Sequence, residues 1–150
     1  MYYTIGEMAR RLNVAPSTLR YYDREGLLPF VERSDGGIRR FKESDMEWLR
    51  IIECLKCTGM PIREIKVFID WCVAGDATIG NRLALIEKQR QNVKRQIEEL
   101  QTHLRLLDYK RWYYETAQAA GSCSIHEGPD AAPVPEEFRE IVECCEDSLP

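Results

Sequence analysis

No apolar run in this sequence approaches the roughly 20 residues needed to cross a membrane. The first residues, Met1-Tyr2-Tyr3-Thr4, have neither the basic region nor the apolar stretch of a secretion signal. A cytoplasmic protein with no membrane partner is expected, and its six cysteines are then expected as thiols rather than disulfide staples. Histidine is scarce, with only His103 and His126 present. Neither is accompanied by a Ser/His/Asp set, a phosphate-binding loop or an HExxH motif, so neither an enzyme nor a cofactor is expected. The last thirty residues nearly lack bases: Arg139 stands against eight acids, a local charge of −7.

The formal net charge is −4 over 150 residues, which argues against nucleic-acid binding until its distribution is considered. Residues 1–42 hold eight Lys and Arg against five acids, a local charge of +3. Phosphate contact follows the local charge more than the sum.

What is present begins with Thr4, an N-cap whose capping box closes at Glu7. Ile5, Met8, Ala9 and Leu12 make the apolar stripe of a first helix of about eight residues. Asn13-Val14-Ala15 turns into a second helix running from Pro16, suited to the first helical position, to Gly26 just past its end. Leu19 must pack on a neighbour. That leaves Ser17, Thr18, Arg20, Tyr21 and Arg24 as a polar and aromatic surface, the mixture that binds phosphates and base edges in a major groove. Two short helices with a tight turn, the second basic, form a helix-turn-helix pattern. Asp35-Gly36-Gly37 then signals a hairpin. Arg33 on one arm and Arg39 and Arg40 on the other make it a cationic wing.

Ser44-Asp45-Met46-Glu47 reads as a second capping box, opening a helix to about Thr58 with a stripe of Trp48, Ile51, Ile52 and Leu55. A fourth helix, from Pro61 to about Trp71, buries Ile62, Ile65, Phe68 and Ile69. From about Thr78 to Ala119 there is no Pro, and Gly80 is the single Gly. Apolar residues step by three and four through Leu83, Ile86, Val93, Ile97, Leu100, Leu104 and Leu107, with Arg90 as the one polar seam position. That is a coiled-coil signature. A lone helix of about 40 residues, about 60 Å long, would leave its stripe in water, so a homodimer is expected. The Lys110 to Tyr114 cluster is a candidate docking patch for the partner's DNA-binding unit. Residues 121–134 read as a linker, and Pro135 to about Asp147 as one or two amphipathic turns, a short helix or a tail. The expected organisation is a DNA-binding domain over 1–72, a dimerisation helix over 76–120 and an acidic linker and tail over 121–150. The fold class is mainly α.

Taken in order, these pieces resemble the MerR family of transcription regulators. The likeness is carried by Thr4-Ile5-Gly6-Glu7-Met8-Ala9, Thr18-Leu19-Arg20-Tyr21-Tyr22, Glu25-Gly26-Leu27, Arg33 to Phe41 and the long terminal helix. The resemblance implies a winged helix-turn-helix DNA-binding domain followed by a long antiparallel coiled-coil dimerisation helix. It also implies double-stranded promoter DNA and RNA polymerase as partners. Family members bend and untwist a promoter whose spacer is overlong, a readout through deformability. By residue match, Ser17, Thr18, Arg20 and Tyr21 face DNA from the helix, and Arg33, Arg39 and Arg40 from the wing. Ile38 stands where many members carry a Tyr.

Ile52-Glu53-Cys54-Leu55-Lys56, Gly59-Met60 and Gly75-Asp76-Ala77-Thr78 look like the thiol- and aldehyde-responsive AdhR/NmlR-like branch, which implies Cys54 as the sensor. A free thiol is only a few per cent thiolate at neutral pH yet strongly nucleophilic toward electrophiles. Arg50, one turn earlier, would raise that fraction and Glu47 would oppose it. The Cys54-x-x-Cys57 spacing falls mid-helix, where a redox dithiol motif does not belong. The alternative is a metal-responsive regulator that gathers Cys123, His126, Cys144 and Cys145 around Cu(I) or Zn(II). Cys123 lacks the nearby second cysteine of the metal-sensing branches, so no metal site is assigned.

Overall fold

The computed structural model describes the backbone of residues 1–146 and side chains through Glu143. Six α-helices and one two-stranded hairpin make it up: α1 Ile5–Leu12, α2 Pro16–Arg24, β1 Glu32–Arg33, β2 Arg39–Arg40, α3 Asp45–Cys57, α4 Ile62–Ala74, α5 Ile79–Ala120 and α6 Arg139–Glu146. Two compact units divide at Asn92 and Val93, and α5 contributes residues to both.

In the first unit, both arms of the Thr4–Glu7 capping box form. Asn13 closes α1 in the left-handed conformation at φ 57°, which Asn tolerates better than most residues. At the end of α2, the Leu27 N–H donates to the Tyr22 carbonyl and the Gly26 N–H to the Asp23 carbonyl, a Schellman closure. It needs a left-handed residue at Gly26, where φ is 76°. Met8, Ala9, Leu19, Tyr22, Leu27, Phe41, Leu49, Ile52, Ile65 and Ile69 are fully buried in a single core. Tyr3 pairs with Phe41 through both backbone hydrogen bonds and so ties the N-terminus to the base of the hairpin.

The third helix departs from expectation in two ways. Ser44 makes no side-chain cap and sits in the α region. Asp45, buried, accepts the Lys42 N–H at 2.8 Å instead, so the second capping box does not form. The buried stripe is Met46, Leu49 and Ile52, while Ile51 is exposed. Trp48 stacks on Phe30 at 5.5 Å between ring centroids. The fourth helix runs to Ala74, three residues past Trp71, and stops at Gly75 with φ 91°.

The long helix has the expected bounds within a residue. Its first turns dock on the first unit through Leu85, packed against the core, and through Gln89, whose amide donates to the Thr58 carbonyl at 2.7 Å. Lys88 pairs with Glu64 at 2.6 Å. These docking residues lie beside the heptad seam rather than on it. The seam residues Leu83, Ile86, Ile97, Leu100, Leu104 and Leu107 are 38% to 66% exposed.

In the second unit the expected linker is folded. Cys123–His126 form a 3-10 turn, and the His126 ring stacks on Tyr113 with centroids 3.9 Å apart. Phe138 packs against Tyr109 and Trp112. Trp112 and Tyr113 are therefore engaged within their own chain, and only the neighbouring Tyr114 of that aromatic run remains largely exposed. No helix among the described residues is long and apolar enough to cross a membrane.

Candidate nucleic-acid interface

At 100° per residue, Ser17, Arg20, Tyr21 and Arg24 fall on one side of α2, and Leu19 and Tyr22 on the other. The structure follows that division: Leu19 and Tyr22 are fully buried, while Ser17, Arg20, Tyr21 and Arg24 are exposed. Thr18 is half-buried on one flank of the stripe. The Arg24 guanidinium lies over the Tyr21 ring, 5.4 Å from its centroid. Tyr22 anchors the helix from behind, its hydroxyl donating to Glu53 of α3 at 2.5 Å.

Beside this stripe stands the hairpin, in the register Glu32↔Arg40 and Arg33↔Arg39. The Ser34 N–H donates to the Ile38 carbonyl at 2.8 Å, and Gly37 takes the turn at φ 77°. Arg33 and Arg39 both donate to Asp23 of α2, Arg33 at 2.9 Å. Arg40 lies over the Tyr2 ring at 4.7 Å. The Tyr2 hydroxyl and Lys42 both donate to Glu32, and they hold that carboxyl below the usual range, with Lys42 the larger cause. Glu32 in turn raises the Lys42 ammonium. On the far side, Arg11 grips Glu43 with two 2.6 Å bonds and draws its carboxyl down to about 2.

Asp23 and Tyr2, which hold the wing arginines, are residues of the candidate interface that sequence reasoning passed over. One signal was available: a lone acid set within a basic helix. Its two partners became visible only with the hairpin register.

Cys54 is exposed on α3, and so is Cys57 one turn on. Cys72 is half-buried, with an Arg82 guanidinium N–H directed at its sulfur at 3.8 Å. Of the expected metal set, Cys123 is exposed, and His126 spends its Nε2 on the Tyr113 carbonyl at 2.8 Å. The side chains of Cys144 and Cys145 lie outside the described residues. Among the described residues no three His, Cys, Asp or Glu side chains stand close enough to hold a metal ion.

A basic helix after a tight turn, backed by a core and flanked by a cationic two-stranded hairpin, defines a winged helix-turn-helix protein of the DNA-binding class. Residues 3–70 match the model of the MerR HTH family regulatory proteins. The chain is 48% identical over 122 residues to an uncharacterised HTH-type transcriptional regulator of Haemophilus influenzae, spanning 81% of this chain and 90% of that one. It is 34% identical to the HTH-type transcriptional regulator AdhR of Bacillus subtilis, over 59% of this chain and 64% of AdhR. Among solved structures it is similar to HiNmlR, a MerR family regulator lacking the sensor domain and bound to promoter DNA. There the identity is 47% and the TM-score 0.65, over 83% of this chain and 98% of HiNmlR. The chain belongs to the MerR family; it is a transcription regulator and not an enzyme.

Proposed function

We propose that this protein is a cytoplasmic homodimer that grips a promoter with two winged helix-turn-helix heads and distorts its overlong spacer for RNA polymerase. Residues 1–72 serve as the head, 76–120 as the dimerisation helix and 121–150 as an acidic C-terminal segment. Ser17, Thr18, Arg20 and Tyr21 face the DNA from α2, and Arg33, Arg39 and Arg40 from the wing. The observation that carries this reading is the division of α2 into a buried face and an exposed Ser17-Arg20-Tyr21-Arg24 face beside the cationic hairpin. The promoter DNA bound to HiNmlR supports it by similarity. A second copy of the chain is the natural cover for the exposed α5 seam. A gel shift with the protein's own upstream promoter tests the reading, with log affinity falling steeply against log salt. Absence of any shift at low salt overturns it.

The trigger is modification of Cys54 by an aldehyde or another electrophile. Adding the thiol across an aldehyde carbonyl gives a hemithioacetal with no further reactant, and the exposure of Cys54 admits such reagents. Similarity to AdhR and HiNmlR supports the branch assignment. Because Cys57 is exposed as well, the test pairs Cys54→Ser with Cys57→Ser. Aldehyde-dependent promoter activation should vanish in the first variant and persist in the second. Full activation of Cys54→Ser ends the sensor assignment.

A further inference from the structure

An acid is out of place at position 23 on local grounds. It occupies the last turn of α2, where the helix dipole disfavours negative charge, and it adjoins a surface read here as meeting phosphates. Its side chain is only 12% exposed, so it needs close counter-ions. It has two. Arg33 and Arg39 are directly opposite in the hairpin register, and like charges so placed repel. A ladder of two residues per strand is too small to hold that repulsion unaided. Both guanidiniums converge on the one Asp23 carboxylate. Arg39, the more buried of the pair at 27% exposed against 53% for Arg33, is the inner fastening. Arg33 keeps an outward face for phosphate.

We propose that Asp23 is a positioning residue for DNA binding: the shared counter-ion that cancels the Arg33–Arg39 repulsion and fastens the wing to the recognition helix. The inference rests on the DNA-binding reading above and adds an acid to the machinery of a cation surface. It runs against simple electrostatics, which says that removing a carboxylate beside phosphates tightens binding.

The test uses the full-length chain and the protein's own upstream promoter duplex. Asp23→Asn should weaken binding about tenfold, the scale of losing a charge-assisted bond, and Asp23→Glu should recover part of it. In the DNA-free protein, Asp23→Asn should speed exchange of the Ser34 amide hydrogen, whose bond to Ile38 closes the hairpin. In an Arg33→Gln/Arg39→Gln background the Asn substitution should no longer weaken binding or speed exchange. Three results each overturn the proposal: equal or tighter binding by Asp23→Asn, weaker binding with unchanged Ser34 exchange, or an undiminished loss in the double-Gln background. If the wild-type chain fails to bind any duplex, it is the DNA reading that has failed. Ser34 exchange in the free chain still reports on the fastening by itself.

Discussion

Replacing Tyr22 by Phe removes one oxygen and keeps the ring. That ring is fully buried, so the hydrophobic contribution and the Lys56 ammonium lying 5.2 Å from the centroid are retained. The hydroxyl bond to Glu53 at 2.5 Å is lost. Hydrogen bonds to charged groups contribute about 1.5–3 kcal/mol. Glu53 is half-buried and regains some water once released, which brings the expected loss to about 1–2 kcal/mol. For a chain of this size each kcal/mol moves the thermal midpoint by roughly 2–4 °C, so Tyr22→Phe should melt about 2–8 °C lower at a fixed chain concentration. A second signature separates this bond from general loosening. Burial, then the bond to Glu53, pushes the Tyr22 phenol above its ordinary value of 10.0. The folded state therefore holds a proton that the unfolded chain releases near pH 10, and the stability linked to it is complete below that pH. It drains away as pH rises beyond it. Denaturant melts of wild type and variant should differ from pH 7 to about 9 and converge as pH climbs past about 10. Equal stability at pH 7, or a gap unchanged through pH 11, refutes the reasoning.

Other expectations follow from the same contacts. Leu100→Asp combined with Leu104→Asp places four charges in the exposed seam of a dimer; ultracentrifugation should find single chains and gel shifts should lose specific binding, whereas an intact dimer rejects the seam. Glu43 should titrate near 2 by carbon NMR because Arg11 holds it ionised; its share of stability is complete above the ordinary 4.5 and is lost as pH falls through about 2, and a midpoint near 4.5 contradicts the pairing. Gly26→Ala forces a side chain into φ 76° and brings its Cβ within 3.0 Å of Lys66 Cε; denaturant melts should show a loss of about 1–2 kcal/mol, and no loss rules out the left-handed closure.

Where sequence and structure agree, the interactions are local. Thr4 and Glu7 reach each other within one helical turn, so the first capping box could be read from spacing alone. The same spacing misled at Ser44, because Asp45 next door takes the Lys42 N–H and Ser44 itself lies in the α region, where its side chain makes no cap. On α3 two stripes interlace. Trp48, Ile51, Ile52 and Leu55 compete with Met46, Leu49 and Ile52, and periodicity cannot rank them. Phe30, from a loop eighteen positions away, stacks on Trp48, and the core closes over Leu49. The segment after Gly121 looked like a linker because its composition is rich in Gly, Pro and Ala. Its fold rests on His126 meeting Tyr113 and Trp112, contacts no period encodes. The apolar stripe of α5, in contrast, is a spacing along a single helix, so its residues could be named from the sequence, and most of them lie exposed.

An acidic protein that binds DNA is less paradoxical once its cations are sorted by what already holds them. Of the eight in residues 1–42, four lie in ion pairs of 2.9 Å or closer: Arg11 with Glu43, Arg33 and Arg39 with Asp23, and Lys42 with Glu32. A paired guanidinium can still donate a hydrogen bond to phosphate, but its charge is already cancelled and it releases few counter-ions. If the Asp23 pairs persist on DNA, Arg20, Arg24 and Arg40 neutralise phosphates in each head. A dimer then displaces about six counter-ions, for a log-affinity against log-salt slope of about −5. If those pairs open, Arg33 and Arg39 act as well and the slope steepens to about −9. The fastening of the wing by Asp23 requires the shallower value. A slope near −9 in the wild-type protein would mean that phosphates pull Arg33 and Arg39 off the carboxylate, and that the wing docks on DNA as an unfastened hairpin.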